Sequence, residues 1–211
     1  MLSTHELSCQ RGRQQLWSHL NLSIAPGDIA FIKGANGSGK SSLLRILAGL
    51  SSPYDGEICW HGHNIRKCTD TYRAELLYIG HQTPLKPELS AIENLLSLTQ
   101  LHGLQASLEE ITKALSIWEL QGKTIGLATK QLSQGQKQRV SLAQLSLLNK
   151  SVWILDEPFN SLDAAGSRIL SQHLEDHLLT HKKMVVITSH VHENAAQIAA
   201  SLSQIEQLIQ F

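Results

Sequence analysis

Hydrophobic residues form short, separate runs in two parts of this chain, one near its beginning and one near its end. In the first part, residues 20–24 (LNLSI) alternate apolar and polar positions, and residues 29–32 (IAFI) are continuously apolar. In the second part, residues 152–155 (VWIL) and 184–187 (MVVI) are apolar without interruption. Alternation predicts a half-buried strand, whereas uninterrupted runs rich in β-branched residues predict strands covered on both faces. The pattern therefore predicts an α/β fold built on a parallel sheet.

The segment between these two parts has helical spacing instead. Residues 90–93, 107–110 and 133–136 each begin with a serine and end with a glutamate or glutamine, ahead of a run with leucine or valine at helical intervals. This is the capping box, in which each side chain bonds the other residue's backbone N–H at a helix start. We therefore expect one domain with a core at about 1–83 and 151–211 and a helical subdomain inserted at about 84–150.

Two shorter patterns lie between the first strands and the helical segment. Residues 42–48 (SLLRILA) predict a helix that stops at Gly49, because glycine accommodates the left-handed conformation that ends many helices. Residues 55–63 predict a turn that leads into a hairpin.

Composition excludes several classes of protein. The 211 residues are 42% hydrophobic and 17% charged, which is typical of a globular domain, and 18 basic residues balance 18 acidic ones. A nucleic-acid-binding protein would need a basic excess. Cys9, Cys59 and Cys68 form no C-x-x-C pair and are typical of a reducing cytosol. No leader pattern and no apolar run of ~18–20 residues is present, so we expect any membrane association to be peripheral.

Residues 34–41 (GANGSGKS) match the phosphate-binding pattern G-x-x-x-x-G-K-[ST], and they lie between a predicted strand and a predicted helix. Glycines allow successive backbone N–H groups to turn toward phosphate oxygens, and the helix adds the positive end of its dipole. Lys40 supplies a cation for the β- and γ-phosphates, and the Ser41 hydroxyl is suited to Mg²⁺. The alternative is a chance glycine-rich turn. The residues expected at the nucleotide are Gly34, Ala35, Asn36, Gly37, Ser38, Gly39, Lys40, Ser41 and Ser42.

A second candidate site follows the apolar run at 152–155, which ends in Asp156, Glu157 and Pro158. A strand of a parallel sheet delivers such a carboxylate to the carboxyl edge, where ligands of these sheets bind. Asp156 is suited to hold Mg²⁺, and Glu157 is suited to act as the base for an attacking water. A solvated turn at the strand end would have the same letters, but the upstream phosphate-binding loop favours the catalytic interpretation.

Residues 132–136 (LSQGQ) resemble the LSGGQ signature of ABC ATPases. A capped helix alone would explain Ser133 and Gln136, so the resemblance depends on what accompanies them. Gln82, residues 160–163 (NSLD) and His190 are similar to the Q-loop, the D-loop and the H-switch of that family, and they occur in the family's order. The resemblance extends over essentially the whole chain.

Membership of the ABC ATPases would imply a P-loop NTPase fold with a RecA-like core, an antiparallel β subdomain and an inserted helical subdomain. Its cofactors would be ATP and Mg²⁺. Gln82 would sense Mg²⁺ and the attacking water and communicate with a membrane partner, and His190 would contact the γ-phosphate. Two copies would form a homodimer in which one chain's signature closes over ATP held by the other. The residues contributed in this way would be Ser133, Gly135, Gln136 and Asp163.

Two positions depart from the family pattern. Gln134 stands in place of the first signature glycine, while Gly135 is kept. The place where the family stacks an aromatic ring on adenine holds Arg11. Because a guanidinium plane can stack on a base, we predict that Arg11 replaces the ring. Trp17 is a weaker candidate, and an exposed arginine without this role is the other alternative.

Residues 11–13 (RGR), 76–82 (LLYIGHQ) and 89–95 (LSAIENL) are similar to the CcmA family, the ATP-binding subunits of the bacterial haem exporter for c-type cytochrome maturation. The resemblance implies membrane partners CcmB, CcmC and CcmD, at the cytoplasmic face of the inner membrane. Haem would not touch this chain.

Other functions fit the same motifs. One is the ATPase of a different importer or exporter, and another is a soluble ABC ATPase of iron–sulfur assembly or DNA repair. The repair function would require long coiled-coil insertions that the chain does not have. A P-loop small-molecule kinase would lack residues 132–136. The transported substance is not encoded in this chain, because selectivity belongs to membrane subunits.

Overall fold

The computed structural model describes residues 1–188 and 206–210. These residues divide into two compact units. The first comprises Met1–Tyr78, Lys150–Glu157 and the described residues from Glu175 onward, and the second comprises Ile79–Asn149 and Pro158–Leu174.

The strands and helices alternate along the chain as the apolar pattern predicts. The strands are β1 (Leu2–Arg11), β2 (Gln14–Ile24), β3 (Ile29–Lys33), β4 (Asp55–Trp60), β5 (His63–Asn64), β6 (Leu76–Ile79), β7 (Val152–Asp156), β8 (Met184–Thr188) and β9 (Glu206–Gln210). The α-helices are α1 (Lys40–Leu47), α2 (Thr69–Glu75), α3 (Ala91–Leu101), α4 (Leu108–Ile117), α5 (Gln134–Leu142) and α6 (Ala164–Glu175). Short 3₁₀ turns follow α4 and α5, and one π-helical turn, Asp176–Thr180, follows α6.

A five-stranded sheet in the order β6-β7-β8-β3-β9 forms the centre of the first unit. β3 pairs in parallel with β8 and β9, and β7 pairs in parallel with β8. β7 and β8 are buried along their whole length, and β3 is buried except at its last residue. Uninterrupted apolar runs therefore form strands covered on both faces, which confirms the predicted α/β fold.

A four-stranded antiparallel sheet in the order β2-β1-β4-β5 forms the rest of the first unit. β4 and β5 are the hairpin predicted from residues 55–63. Side chains from both sheets and from α1 share one hydrophobic core, in which Leu43, Leu44 and Leu47 of α1 are fully buried. Packing against this core holds α1 behind the loop that joins it to β3.

The second unit is mainly helical. Ser90, Ser107 and Ser133 are the N-caps of α3, α4 and α5, and each forms the complete capping box that its spacing predicts. The buried residues include Leu95, Ile111 and Trp118. Among the described residues, no helix is both long and apolar enough to span a bilayer.

Candidate functional site

The loop between β3 and α1 has the conformation that phosphate binding requires. Gly37 and Gly39 adopt positive φ values of 81° and 103°, which are unfavourable for residues with a side chain. Gly39 is also the N-cap of α1, and no side chain caps this helix. The first N–H groups of α1 therefore meet no capping oxygen, and they form an anion site at the positive end of the helix dipole.

Lys40 lies over this loop and is only 6% exposed. Its Nζ donates hydrogen bonds to the carbonyl oxygens of Gly34 (2.8 Å) and Ala35 (2.9 Å). Phosphate oxygens can replace these carbonyls as acceptors for the same ammonium group. Ser41 and Ser42 follow in the first turn of α1, the former exposed and the latter half-buried.

Ser38 contributes a buried hydroxyl group to this loop. Its Oγ is buried and makes no hydrogen bond within the described part of the chain. Buried hydroxyl groups are almost always paired, so this atom fits a ligand that enters the loop. A triphosphate with many acceptor oxygens would satisfy it.

The carboxyl edge of the parallel sheet carries the second part of the site. Asp156, the last residue of β7, is 3% exposed, and no side-chain cation of residues 1–188 forms an ion pair with it. Its Oδ1 accepts a hydrogen bond from Oγ1 of Thr188 (2.8 Å). A buried carboxylate without a counter-charge is costly, and its oxygens are the ligands that Mg²⁺ prefers. Asp156 therefore fits a magnesium ion.

Glu157 follows Asp156 in a left-handed conformation with φ of 52°. Its backbone N–H donates to the same Thr188 hydroxyl oxygen at 2.8 Å. The nearby phenol of Tyr78 stays protonated, because burial raises its pKa and the charge of Asp156 adds to the shift. Sequence analysis did not predict a role for Thr188. The available signal was a polar residue at the end of a strand that was expected to lie parallel to the strand of Asp156.

The signature segment begins a helix in the second unit. Ser133 Oγ accepts the N–H of Gln136 (3.2 Å), and Gln136 Oε1 accepts the N–H of Ser133 (2.9 Å). The Ser133 hydroxyl can still donate its own proton to an anion. A β-carbon on Gly135 would lie 2.8 Å from the carbonyl oxygen of Ser161, so only glycine allows this approach.

Arg139, on α5, holds the segment 160–163 against the signature helix, and sequence analysis missed it. Its guanidinium bonds Asp163 Oδ1 (2.6 Å), Glu119 Oε2 (2.7 Å) and the carbonyl oxygen of Trp118 (3.0 Å). Asp163 also accepts the N–H of Gly166 at 2.8 Å, and this bond, followed by the one from Arg139, lowers the pKa of the carboxyl group. The carboxylate is therefore ionised at neutral pH.

The signature and the segment 160–163 line one depression of about 460 Å³ in the second unit. Its lining residues are Glu119, Leu120, Ser133, Gly135, Gln136, Arg139, Ser161 and Asp163. Four of the residues predicted to meet ATP of a second copy, Ser133, Gly135, Gln136 and Asp163, are thus brought together within one chain.

The remaining predicted residues lie in varied positions. Gln82 is exposed in the loop after β6, and Arg11 is exposed at the end of β1, opposite Gln14 of β2. Trp17 is buried, and its indole Nε1 would lie 2.7 Å from a β-carbon on Gly39, so it supports the loop from below and presents no open face to a base. His190 lies outside the described residues.

Comparison with known proteins gives consistent matches. The ABC transporter family model matches residues 17–160. The "Cytochrome c biogenesis ATP-binding export protein CcmA" of Nitrosomonas europaea is 44% identical over 190 residues, which cover 90% of this chain and 88% of that protein. The protein of the same name from Methylococcus capsulatus is 43% identical over 189 residues, covering 90% of each chain.

Solved structures of ABC cassettes are also similar. The dimeric bacterial ABC transporter cassette MJ0796 matches with a TM-score of 0.83 at 23% identity. The match covers all of this chain and 94% of the MJ0796 chain, which establishes a shared fold. A dimeric post-hydrolysis state of MJ0796 bound to ADP and Pi has a TM-score of 0.80 at 25% identity, covering 92% and 90% of the two chains.

Proposed function

Because the chain belongs to the ABC transporter family, and within it to the CcmA family of ATP-binding proteins, we propose that it hydrolyses ATP to power haem export in cytochrome c biogenesis. The observation that carries this proposal is the parallel sheet of the first unit. β3 leads into a phosphate-binding loop whose cation and buried hydroxyl fit a triphosphate, and β7 ends at the same sheet edge in a buried carboxylate followed by a second one.

The predicted residues have distinct tasks in the proposed reaction. The N–H groups of α1 and the ammonium of Lys40 bind the β- and γ-phosphates, and Ser38 adds a hydroxyl donor. Ser41, Gln82 and Asp156 would hold Mg²⁺, which supplies positive charge to the phosphate oxygens when bound. Glu157 orients a water and accepts its proton as the water attacks phosphorus. His190 contacts the γ-phosphate.

The residues around Ser133 act on ATP held by a second copy. Ser133 is exposed at the N-terminus of α5, whose first turn contains no acidic residue, and this charge pattern favours a phosphate. Gly135, Gln136 and Asp163 complete this surface. Dimerisation is supported by the dimeric MJ0796 cassettes, and each chain then contributes half of each of two sites.

The membrane partners are proposed from the family. Export requires subunits that form a path through the membrane, and CcmB, CcmC and CcmD are the expected ones. The chain would associate peripherally with them at the cytoplasmic face of the inner membrane, and haem itself would not touch it.

Arg11 is the proposed surface for adenine. It is exposed, and a stacked guanidinium contributes about 1–3 kcal/mol to base binding. Arg11→Ala should therefore weaken binding of ATP but not of inorganic triphosphate, as measured by titration calorimetry. Arg13→Ala, on the same turn, is the matched control. Equal affinities of the unmodified chain for ATP and GTP would argue against any adenine platform.

The ATPase proposal is tested with Glu157→Gln. This variant should still bind ATP, while hydrolysis falls by about 100-fold or more because the water loses its base. Light scattering should show a dimer with ATP and a monomer without it. Glu109→Gln, a change at an exposed carboxylate of α4, should hydrolyse ATP like the unmodified chain. Full hydrolysis by a chain that stays monomeric with ATP would refute the shared site.

The export proposal is tested by affinity purification from detergent-solubilised membranes. Mass spectrometry should identify integral membrane subunits bound to the chain, and added ATP should alter their retention. Retention of iron–sulfur assembly proteins in place of membrane subunits would favour the soluble scaffold function instead.

A further inference from the structure

Thr188, the last residue of β8, links Asp156, at the buried end of β7, with Glu157, the residue that follows it. We propose that Thr188 is a positioning residue for ATP hydrolysis, whose single hydroxyl holds both Asp156 and the backbone of Glu157 in place. This inference rests on the proposed ATPase function and extends it to a residue that is fully buried.

The register of the parallel strands brings Asp156 and Thr188 together. Asp156 and Thr188 are directly opposite each other in the pairing of β7 with β8. Both side chains are buried, with Thr188 fully inaccessible to solvent. The Thr188 hydroxyl donates its proton to Asp156 Oδ1 at 2.8 Å. One carboxylate oxygen is thereby assigned to the protein, and Oδ2 is left for a cation.

The backbone of Glu157 is held by the same hydroxyl group. A left-handed conformation with φ of 52° is unfavourable for a glutamate, so it persists only where neighbouring contacts hold it. The hydrogen bond from the Glu157 N–H to Thr188 Oγ1, 2.8 Å long, is one such contact. Because the φ of Glu157 sets the direction of its side chain, this bond also directs the proposed base.

The Thr188 hydroxyl acts as a donor and as an acceptor at once. It has one proton, which it donates to Asp156, and its oxygen lone pairs then accept the N–H of Glu157. A hydrophobic residue of similar size, such as valine, can form neither of these two bonds. Loss of the hydroxyl therefore disturbs the metal-binding carboxylate and the base together, while the phosphate-binding loop on β3 and α1 keeps its own contacts.

The test uses two pairs of variants that each differ by one hydroxyl. Thr188→Val has the shape of threonine without its oxygen, and Thr188→Ala compared with Thr188→Ser isolates the same hydroxyl in a smaller side chain. Thr99→Val is the control for lost stability, because Thr99 is also fully buried but its hydroxyl donates to backbone carbonyl oxygens of its own helix, those of Leu95 (2.9 Å) and Leu96 (3.1 Å).

We expect kcat for ATP hydrolysis to fall by about 100-fold in Thr188→Val and Thr188→Ala, because small displacements of catalytic groups have effects of this size. Kd for ATP without Mg²⁺ should stay within about threefold of that of the unmodified chain. Thr188→Ser should restore kcat to within about tenfold of the unmodified chain, and Thr99→Val should leave it unchanged. The enhancement of ATP affinity by Mg²⁺ should shrink in the two variants without a hydroxyl. Hydrogen exchange at the Glu157 amide should accelerate in the same two variants only.

The outcomes separate this inference from the proposed function. If the unmodified chain hydrolyses ATP and Thr188→Val retains full kcat and a protected Glu157 amide, the positioning role is refuted. Equal loss of kcat in Thr188→Ser and Thr188→Ala would refute it as well, because only the hydroxyl distinguishes them. Absence of ATP hydrolysis by the unmodified chain would overturn the proposed function itself.

Discussion

The phosphate-binding loop of the first unit and the signature helix of the second unit are both proposed to bind an anion at a helix N-terminus, but their N-termini differ. α1 begins at Gly39, which has no side chain with which to cap it, whereas α5 begins at Ser133 with a complete capping box. The first helix leaves its amides to the ligand. The second uses its own side chains to satisfy two N–H groups, those of Ser133 and Gln136, and offers a hydroxyl proton.

The cations behind the two helices differ in the same way. Within the part of the chain that the structure describes, the Lys40 ammonium bonds the backbone carbonyls of its own loop, which a phosphate can replace. Arg139 is 9% exposed and bonds two carboxylates, those of Glu119 and Asp163, which are 55% and 68% exposed. Its charge is already neutralised and cannot be offered to a ligand.

This comparison explains why only one of the two regions should bind nucleotide by itself. The first unit provides uncapped amides, the ammonium of Lys40 and a buried carboxylate, that of Asp156, which forms no ion pair within residues 1–188. The second unit is held in a fixed shape by its own ion pairs and has little positive charge to add. We therefore expect the signature region to contact ATP only after the first unit of another copy has bound it.

Removal of the available cation should have the largest effect on this difference. Lys40→Ala should weaken ATP binding by about 100-fold or more, because a charge-assisted bond to phosphate is lost and nothing replaces it. Titration calorimetry with the monomeric chain measures this change. Lys130→Ala is the control. It removes an exposed lysine that lies two residues before the signature and pairs with Glu88, and it should leave the affinity of the monomer for ATP unchanged. Equal losses in both variants would erase the contrast between the units.

Removal of the neutralised cation should affect stability instead. Arg139→Met should lower the free energy of unfolding by about 2 kcal/mol, because the hydrogen bonds of the buried guanidinium are lost. The carboxylates of Glu119 and Asp163 are exposed enough to be rehydrated. Urea denaturation measures this loss, and Arg168→Met at an exposed site on α6 should change it by less than about 0.5 kcal/mol. Monomer affinity for ATP should be unaffected.

The pH dependence of the same variant sharpens the prediction. The pKa of Asp163 is lowered from its ordinary value of 3.8. The ionised carboxylate therefore stabilises the folded protein at pH values above 3.8, and this stabilisation is lost as the pH falls through the lowered pKa. The difference between Arg139→Met and the unmodified chain should therefore persist from about pH 8 to about pH 5. A difference that vanished near pH 6 would point to another titrating group.

The smallest effect concerns the signature serine and has a matched control in the same unit. Ser133 and Ser107 cap α5 and α4 with the same arrangement, so replacing either by alanine should cost about 1 kcal/mol of stability. Only Ser133→Ala should also reduce ATP hydrolysis, by about tenfold, because only Ser133 is expected to donate to the γ-phosphate of a second copy. Equal hydrolysis by the two variants would reduce Ser133 to a helix cap.

Local patterns in the sequence were sufficient for much of the fold. The three capping boxes, a helix at 42–48 and the buried strands β3, β7 and β8 were predicted, because their hydrogen bonds or apolar faces repeat within a few residues. The observed helix α1 begins two residues earlier, at Lys40, and ends at Leu47. α2 and β6 were not predicted, since residues 69–79 have no cap and no clear apolar period.

The phosphate-binding loop, the pair of carboxylates and the signature can be identified in the sequence alone, because each is a contiguous segment with a diagnostic spacing. The contacts that hold these segments in place are visible only in the folded chain. Thr188 meets Asp156 across 32 residues, Arg139 meets Asp163 across 24, and Trp17 lies beneath Gly39 although one-dimensional spacing made it a candidate for stacking on adenine. Such contacts depend on strand register and helix packing, which no short pattern of residues specifies.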